Sequence, residues 1–254
     1  VMISVCLASY NGEKYIKEQI ESILQQLSVN DELIVSDDGS TDHTLSIIAE
    51  IGDPRIKIYF HKSEVNDLGC YSRSHYLVTR NFECALSVAL GDYIFLADQD
   101  DVWESDKVSV TLAALQKYKL VMSNYSIIDG GGKVICASHY RKNPISYTLV
   151  GNLIRMPFHG CCMAFTKDLL KEVLPFPKKL VMHDNWIGLC AQMRHYDIGY
   201  ISKPLIKYRR HQLNVSPSFK KSKNPLWFKL WYRAVLLVQA VRRVCHCGRN
   251  CSFE

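Results

Sequence analysis

Two acidic clusters set the chemistry that this sequence can do. Asp37-Asp38-Gly39-Ser40-Thr41-Asp42 and Asp98-Gln99-Asp100-Asp101 each crowd carboxylates that repel one another unless a cation or ordered donors offset the charge. Hard oxygen ligands at i and i+2, as in Asp98 and Asp100, suit Mg²⁺ or Mn²⁺ shared with a phosphate. The plainer account is that each cluster only caps the helix after it, as Asp and Ser often do. Two clusters on neighbouring strand ends favour a ligand instead.

The elements that must hold these clusters alternate from the start. Apolar runs predict strands over 3–8, 33–36, 56–60, 93–97 and 120–126, and helical spacing predicts helices over 13–27, 81–90 and 106–118. Ser40 or Thr41 is placed to cap a further helix ending near Ile51. Strands parted by such helices imply a mostly parallel sheet that binds its ligand at the carboxyl ends of the strands, where both clusters fall. Beyond Asp129 the pattern loosens. A hairpin turn at 130–132, an irregular loop over 137–147, a strand at 161–165 and a helix at 167–174 come first. A helix over 184–195 and a strand pair around 198–208 close the compact part. The first strand leads into Ser9-Tyr10-Asn11-Gly12-Glu13, which is neither a dinucleotide nor a P-loop fingerprint, so phosphates must be held mainly by metal.

With 48% hydrophobic and 22% charged residues, the 254-residue chain is not disordered, collagenous or a coiled coil. No run is long and apolar enough to span a membrane, and the first residues read as a buried strand rather than a signal peptide. Cys6, Cys84, Cys161, Cys162 and Cys190 sit in apolar segments as small hydrophobes, so the ten cysteines read as reduced and the protein as cytoplasmic.

Four motifs in order carry a resemblance. Ala8-Ser9-Tyr10-Asn11-Gly12, Asp37 to Asp42, Arg80-Asn81-Phe82 and Ala97-Asp98-Gln99-Asp100-Asp101-Val102-Trp103 resemble the inverting glycosyltransferases of family 2. Met182-His183-Asp184-Asn185-Trp186 and Tyr208-Arg209-Arg210-His211-Gln212-Leu213-Asn214 are similar to the bacterial rhamnosyl-, glucosyl- and galactosyltransferases that build O-antigen and capsule. The resemblance covers 3–216 and implies an α/β GT-A fold, Rossmann-like, with a mostly parallel sheet and helices on both faces. It implies a catalytic domain over 1–216, made of a nucleotide-sugar half (1–129) and an acceptor half (130–216).

The resemblance also implies roles. Asp37 or Asp38 receives the base and ribose of a nucleotide-diphospho-sugar, UDP- or dTDP-linked, near Ala8, Tyr10, Asn11 and Asn81. Asp98 and Gln99 line the same donor site, Asp100 ligates Mn²⁺ or Mg²⁺, and Asp101 meets the donor sugar or supports the metal. His211 is a further metal or diphosphate ligand, while Arg209 and Arg210 meet phosphate or acceptor. Inverting transfer needs one base opposite the leaving group, and Asp184 is the candidate, unless it is only the N-cap of its helix. The family more often has Glu before this Asp, where His183 stands here. Trp186 packs under the acceptor or in the core. The acceptor implied is a saccharide on polyprenyl diphosphate. A non-catalytic nucleotide-sugar-binding subunit is the rival reading, although every expected carboxylate is present. A sugar nucleotidyltransferase would want a Gly-rich basic loop after the first strand, which is missing.

The end of the chain is electrostatically separate. Residues 198–254 hold 12 of the 31 Lys and Arg against the single acid Glu254, while the first 197 carry 19 basic and 24 acidic groups. Over 217–254 this reads as a basic, amphipathic tail with a helix at 226–244, in which Lys229, Arg233, Gln239 and Arg243 share one arc and apolar residues fill the rest. Basic residues beside Trp and Tyr suit a helix lying in a membrane interface, here the inner face of the cytoplasmic membrane. A helix packed on the catalytic domain or in a dimer is the alternative. Nucleic acid is set aside, because no recognition motif accompanies the charge. Cys245-His246-Cys247 with Cys251 lacks the paired spacing of a zinc module.

Overall fold

A computed structural model describes residues 1–62, 73–139, 148–180, 182–212, 214 and 225–249. Its first half runs β1 (Ile3–Ser9), α1 (Ile16–Leu24), β2 (Glu32–Asp37), α2 (Thr44–Ile51), β3 (Ile56–Phe60), α3 (Arg73–Ser87) and β4 (Tyr93–Asp98). β1 and β2 are buried almost throughout because helices cover both faces of the sheet, leaving hardly a solvent-facing position. All three pairings among β3, β2, β1 and β4 are parallel. The register sets Ala8 between Ser36 and Asp98, and Ser9 opposite Asp37. Both acidic clusters therefore leave the sheet at the same edge.

The second half holds β5 (Val102–Trp103), α4 (Lys107–Leu115), β6 (Leu120–Asp129), β7 (Val134–Cys136), α5 (Leu149–Arg155), a 3₁₀ turn (Gly160–Cys162) and β8 (Met163–Thr166). It continues with α6 (Lys167–Val173), α7 (His183–Met193), β9 (Ile198–Arg210) and α8 (Leu226–Arg249). These strands extend the sheet in the order β4-β8-β6-β9-β5, with β7 paired to β6. β8 runs antiparallel to β4 and β6, and β9 runs parallel to β6.

Several expectations need correction. The strand pair around 198–208 is one 13-residue strand, β9. Its register against β6 shifts near Pro204, which has no N–H for the ladder, and the Asn124 amide donates to Ser202 O at 2.8 Å across that irregularity. α2 starts only at Thr44, because Ser40 and Thr41 are engaged elsewhere and Asp42 Oδ1 receives the Thr44 amide at 3.0 Å. α3 begins at Arg73 rather than near Asn81, and α5 and β5 carried no clear signal. Of the expected loop over 137–147, only 137–139 are among the described residues. Cys6, Cys84, Cys136, Cys161, Cys162, Cys190 and Cys245 are free thiols, while Cys251 lies outside the described residues.

The terminal helix departs furthest from the reading of a tail. α8 packs against α7 and α6, with Phe228, Leu236 and Ala240 buried. Its basic arc faces protein. Arg233 donates to Leu153 O at 2.8 Å and Ile154 O at 3.0 Å in the last turn of α5, where helical carbonyls lack partners. Arg243 donates to Leu174 O at 2.7 Å and to Pro175 O, with its guanidinium over the Trp186 ring. A helix apolar nearly all round can dock one stripe and still present another. Trp227, Leu230, Trp231, Val238 and Val241 make that outer stripe, and all are exposed. Among the described residues no helix is long and apolar enough to cross a membrane.

Candidate active site

The loops after β1 and β2 are stitched together by side chains that bond to backbone. Asp37 is fully buried and accepts from Ser9 Oγ (3.0 Å), Ser40 Oγ (2.6 Å) and the amides of Gly39 (3.1 Å) and Ser40 (2.8 Å). That turn requires φ of +81° at residue 39, which glycine adopts without strain. Asn11 Oδ1 accepts from the Thr41 amide at 2.8 Å, and the Asn11 amide donates to Ser40 Oγ at 2.8 Å. The Gln99 amide group pairs with both the N–H (2.8 Å) and the C=O (3.0 Å) of Tyr10. Asn81 Nδ2 donates to Ser9 O at 2.9 Å, while its buried Oδ1 has no partner among the described residues. Asn11, Asp37 and Gln99 thus set the shape of the donor loops, and Tyr10 and Asp38 are the side chains left solvent-accessible.

The second cluster is crowded with carboxylates. Ligand atoms of Asp98, Asp101 and Cys161 all lie within 4.8 Å of one another. Burial, then the charges of Asp100 and Asp184, push Asp98 up to about 7, against a hydrogen bond from the Cys161 thiol. Asp101 is fully buried and likewise pushed well up by burial and then by Asp100 and Asp98. Its Oδ1 accepts from the Arg209 amide at 3.0 Å, and its Oδ2 has no partner. Asp100 Oδ2 sits 2.7 Å from His211 Nε2 and 3.1 Å from Asn214 Nδ2. Repelling carboxylates, an orphaned buried oxygen and an imidazole fit a divalent cation of the Mg²⁺ or Mn²⁺ kind. The Cys161 thiol is raised well above its usual range by its contact with Cys162 and by burial, so it stays protonated as a donor.

Arg209 does not take the phosphate-facing place expected of it. It is 3% exposed, its Nε donates to Asp100 O at 2.9 Å, and its Nη2 meets Glu18 Oε2 at 2.5 Å. Its guanidinium stacks over the Tyr15 ring at 4.6 Å. This arginine braces the acidic loop from behind, whereas Arg210, next along β9, is partly buried. Trp186 is fully buried and donates to Val173 O at 3.0 Å, so it belongs to the core and not to an acceptor platform.

α7 delivers the third carboxylate. Met182 is its N-cap, and Asp184 lies inside the first turn rather than capping it. Gly188 lets Phe158 approach α7 so closely that a Cβ there would meet the ring at 2.4 Å. That approach brings the segment carrying Gly160 to the helix start, where Gly160 donates its amide to Asp184. Burial pushes Asp184 up to about 6, against the amides of Asn185 and Gly160. His183 stacks on Phe82 at 4.2 Å and is held neutral, lowered to about 3 by burial and then by His75. A Cβ on Gly160 would come 2.7 Å from its Nε2. His183 thus packs the start of α7 onto α3.

Sequence reasoning missed three supports. Asn214 lay within a quoted motif but was given no role. Cys161 comes from the far half of the chain and had no local signal. Lys107 is 1% exposed, with its ammonium over the Trp103 ring at 4.8 Å and 3.4 Å from Cys161 O. Burial lowers its pKa, opposed by the charges of Cys162, Cys161 and Asp101.

Known proteins share this chain's family and fold. The model of the family "Glycosyl transferase family 2" matches residues 4–174. The dTDP-rhamnosyl transferase RfbG of Shigella flexneri is 28% identical over 243 residues, covering 89% of this chain and 81% of that protein. The Escherichia coli enzyme named UDP-Glc:alpha-D-GlcNAc-diphosphoundecaprenol beta-1,3-glucosyltransferase WfgD is 27% identical, covering 89% and 84%. Among solved structures, Staphylococcus aureus TarS with UDP-GlcNAc superimposes with a TM-score of 0.67 at 20% identity, covering 94% of this chain and 67% of that one. Mycobacterium tuberculosis glucosyl-3-phosphoglycerate synthase with Mn²⁺ and UDP gives 0.58 at 20% identity, covering 95% and 78%. The fold is GT-A. The chain belongs to glycosyl transferase family 2 and is a glycosyltransferase.

Proposed function

We propose a metal-dependent, inverting transfer of a hexose or deoxyhexose from a UDP- or dTDP-linked donor to a saccharide acceptor on polyprenyl diphosphate. The setting proposed is cell-surface polysaccharide synthesis at the inner face of the cytoplasmic membrane. One observation carries the reading: Asp184, from the first turn of α7, acts electrostatically on Asp98 at the end of β4. A base candidate and a donor-side carboxylate are thus near neighbours. The names of the two relatives supply the chemistry of donor and acceptor.

The residues divide the work. Asp38, with Tyr10 and the backbone of Ala8, holds the nucleoside, and Asp37 keeps their loop in shape. Asp98, Asp100 and His211 would hold the metal, with Asp101 beside them. A bound Mg²⁺ or Mn²⁺ would supply Lewis-acid stabilisation of the departing diphosphate. Asp184 takes the proton of the acceptor hydroxyl. Chelation is expected to abolish transfer from UDP- and dTDP-sugars, with Mn²⁺ or Mg²⁺ restoring it. Full activity in excess chelator would overturn the metal dependence, and Asp100→Asn should weaken Mn²⁺-dependent UDP binding while leaving thermal stability close to wild type.

The outer stripe of α8 supports residence at a membrane surface. Its Trp and Leu side chains suit the headgroup boundary, and each nearby Lys or Arg contributes about 1 kcal/mol at an anionic bilayer. The full chain is expected to bind vesicles containing phosphatidylglycerol, less so as salt rises, and Trp227→Ser with Leu230→Ser should release it. Binding indifferent to lipid charge and to these substitutions argues against it.

A further inference from the structure

Where α8 crosses the segment leading into α7, the two leave a shallow apolar groove. Leu180, Met182, Trp231, Tyr232, Val235 and Leu236 line it, together with Lys179. Two neighbours give the groove a direction. Met182 caps the helix that carries Asp184, and Tyr232 faces that carboxylate closely enough to sense it. Burial, with a smaller contribution from the Asp184 charge, pushes the Tyr232 phenol up. At its other end Trp231 is 39% exposed and belongs to the outer stripe of α8. Lys179, which lines the groove, is exposed, as is Lys178 beside it in the chain.

A cation and an apolar wall thus stand beside the start of the helix that carries Asp184. A neutral soluble sugar uses neither. A saccharide joined through a diphosphate to a prenyl chain uses both. We propose that the groove between α8 and Lys179, Leu180 and Met182 is the acceptor's lipid subsite, with Lys179 meeting its diphosphate and Leu180, Trp231 and Val235 covering the first prenyl units. This rests on the transferase reading above and adds to it a structural reason for α8. The helix builds one wall of the acceptor site, so the catalytic half and the basic end of the chain work as one unit. A prenyl unit sheltered there removes apolar surface from water at about 25 cal/mol per Å². That gain suffices to separate a prenyl diphosphate from a bare one.

Farnesyl diphosphate is the probe, titrated calorimetrically into the full chain without metal, with inorganic diphosphate and farnesol in parallel. Farnesyl diphosphate is expected to bind at least about ten-fold more tightly than either, which is about 1.4 kcal/mol or more. Val235→Glu, placing a carboxylate against the wall, should remove that advantage. Lys179→Glu, an exposed change that spares the fold, should weaken farnesyl diphosphate about ten-fold and leave farnesol unchanged. Both variants should bind UDP with Mn²⁺ as wild type does. Farnesyl diphosphate binding no better than diphosphate, or binding untouched by Lys179→Glu, would overturn the subsite. Failure of the wild type to bind either UDP or dTDP with Mn²⁺ would instead sink the proposed donor chemistry, so the two fail separately.

Discussion

Asp184→Asn is expected to cost about 10²–10⁴-fold in turnover while UDP binding stays near wild type. Asparagine keeps the size of the side chain and an oxygen for the Asn185 and Gly160 amides, and removes only the basicity. The pH profile carries the same argument. A base works ionised, and burial has pushed Asp184 up to about 6. The wild-type kcat/KM should therefore fall about ten-fold per pH unit below about 6 and level off above it. Stability runs the other way. The folded pKa lies above the ordinary 3.8, so the stability this group contributes is complete below 3.8 and is lost as pH rises through about 6. Asn escapes that loss, so the variant's melting temperature relative to wild type should climb from pH 4 to pH 8. A variant that melts early yet keeps most of its turnover would return Asp184 to a merely structural role.

The parts of this molecule legible in its sequence are those with a local cause. β1, β2 and β4 announce themselves as continuous apolar runs, since helices bury both their faces, and each ends directly in its functional cluster. The choice between Asp37 and Asp38 was not legible, because it depends on Ser9 and Ser40 converging on one carboxylate across two loops. Arg209 shows the same limit. A basic residue in a motif beside a phosphate site reads as a phosphate ligand, yet Glu18 and Tyr15, nearly two hundred residues earlier, claim its guanidinium. β9 read as two strands because Pro204 interrupts the pattern, and only the irregular register with β6 carries the chain through. The wheel of α8 was correct as a pattern, with a basic arc and an apolar remainder. Which side faces protein was decided by bare carbonyls at the end of α5 and after α6, and no periodicity reports those.

That reversal of α8 makes its removal the harshest test of the fold. An interfacial tail could be cut away to leave a sound catalytic domain. A docked helix cannot, and truncation before Pro225 is expected to give a chain that melts far lower or aggregates. Phe228 and Leu236 are each 4% exposed, and emptying such sites costs about 3–5 and 2–5 kcal/mol respectively. These are large fractions of the stability of an ordinary domain, about 5–15 kcal/mol. Loss of Arg243 would add to this by uncovering one face of Trp186 and the carbonyls of Leu174 and Pro175. The two stripes of the helix should respond oppositely in thermal melts. Phe228→Ala and Leu236→Ala on the docked stripe should each lower the melting temperature by several degrees, whereas Trp227→Ser and Val238→Ser on the outer stripe should barely move it. A truncated chain that melts like the full one would show that the helix rests on the domain without supporting it. The lipid subsite would then have lost a fixed wall.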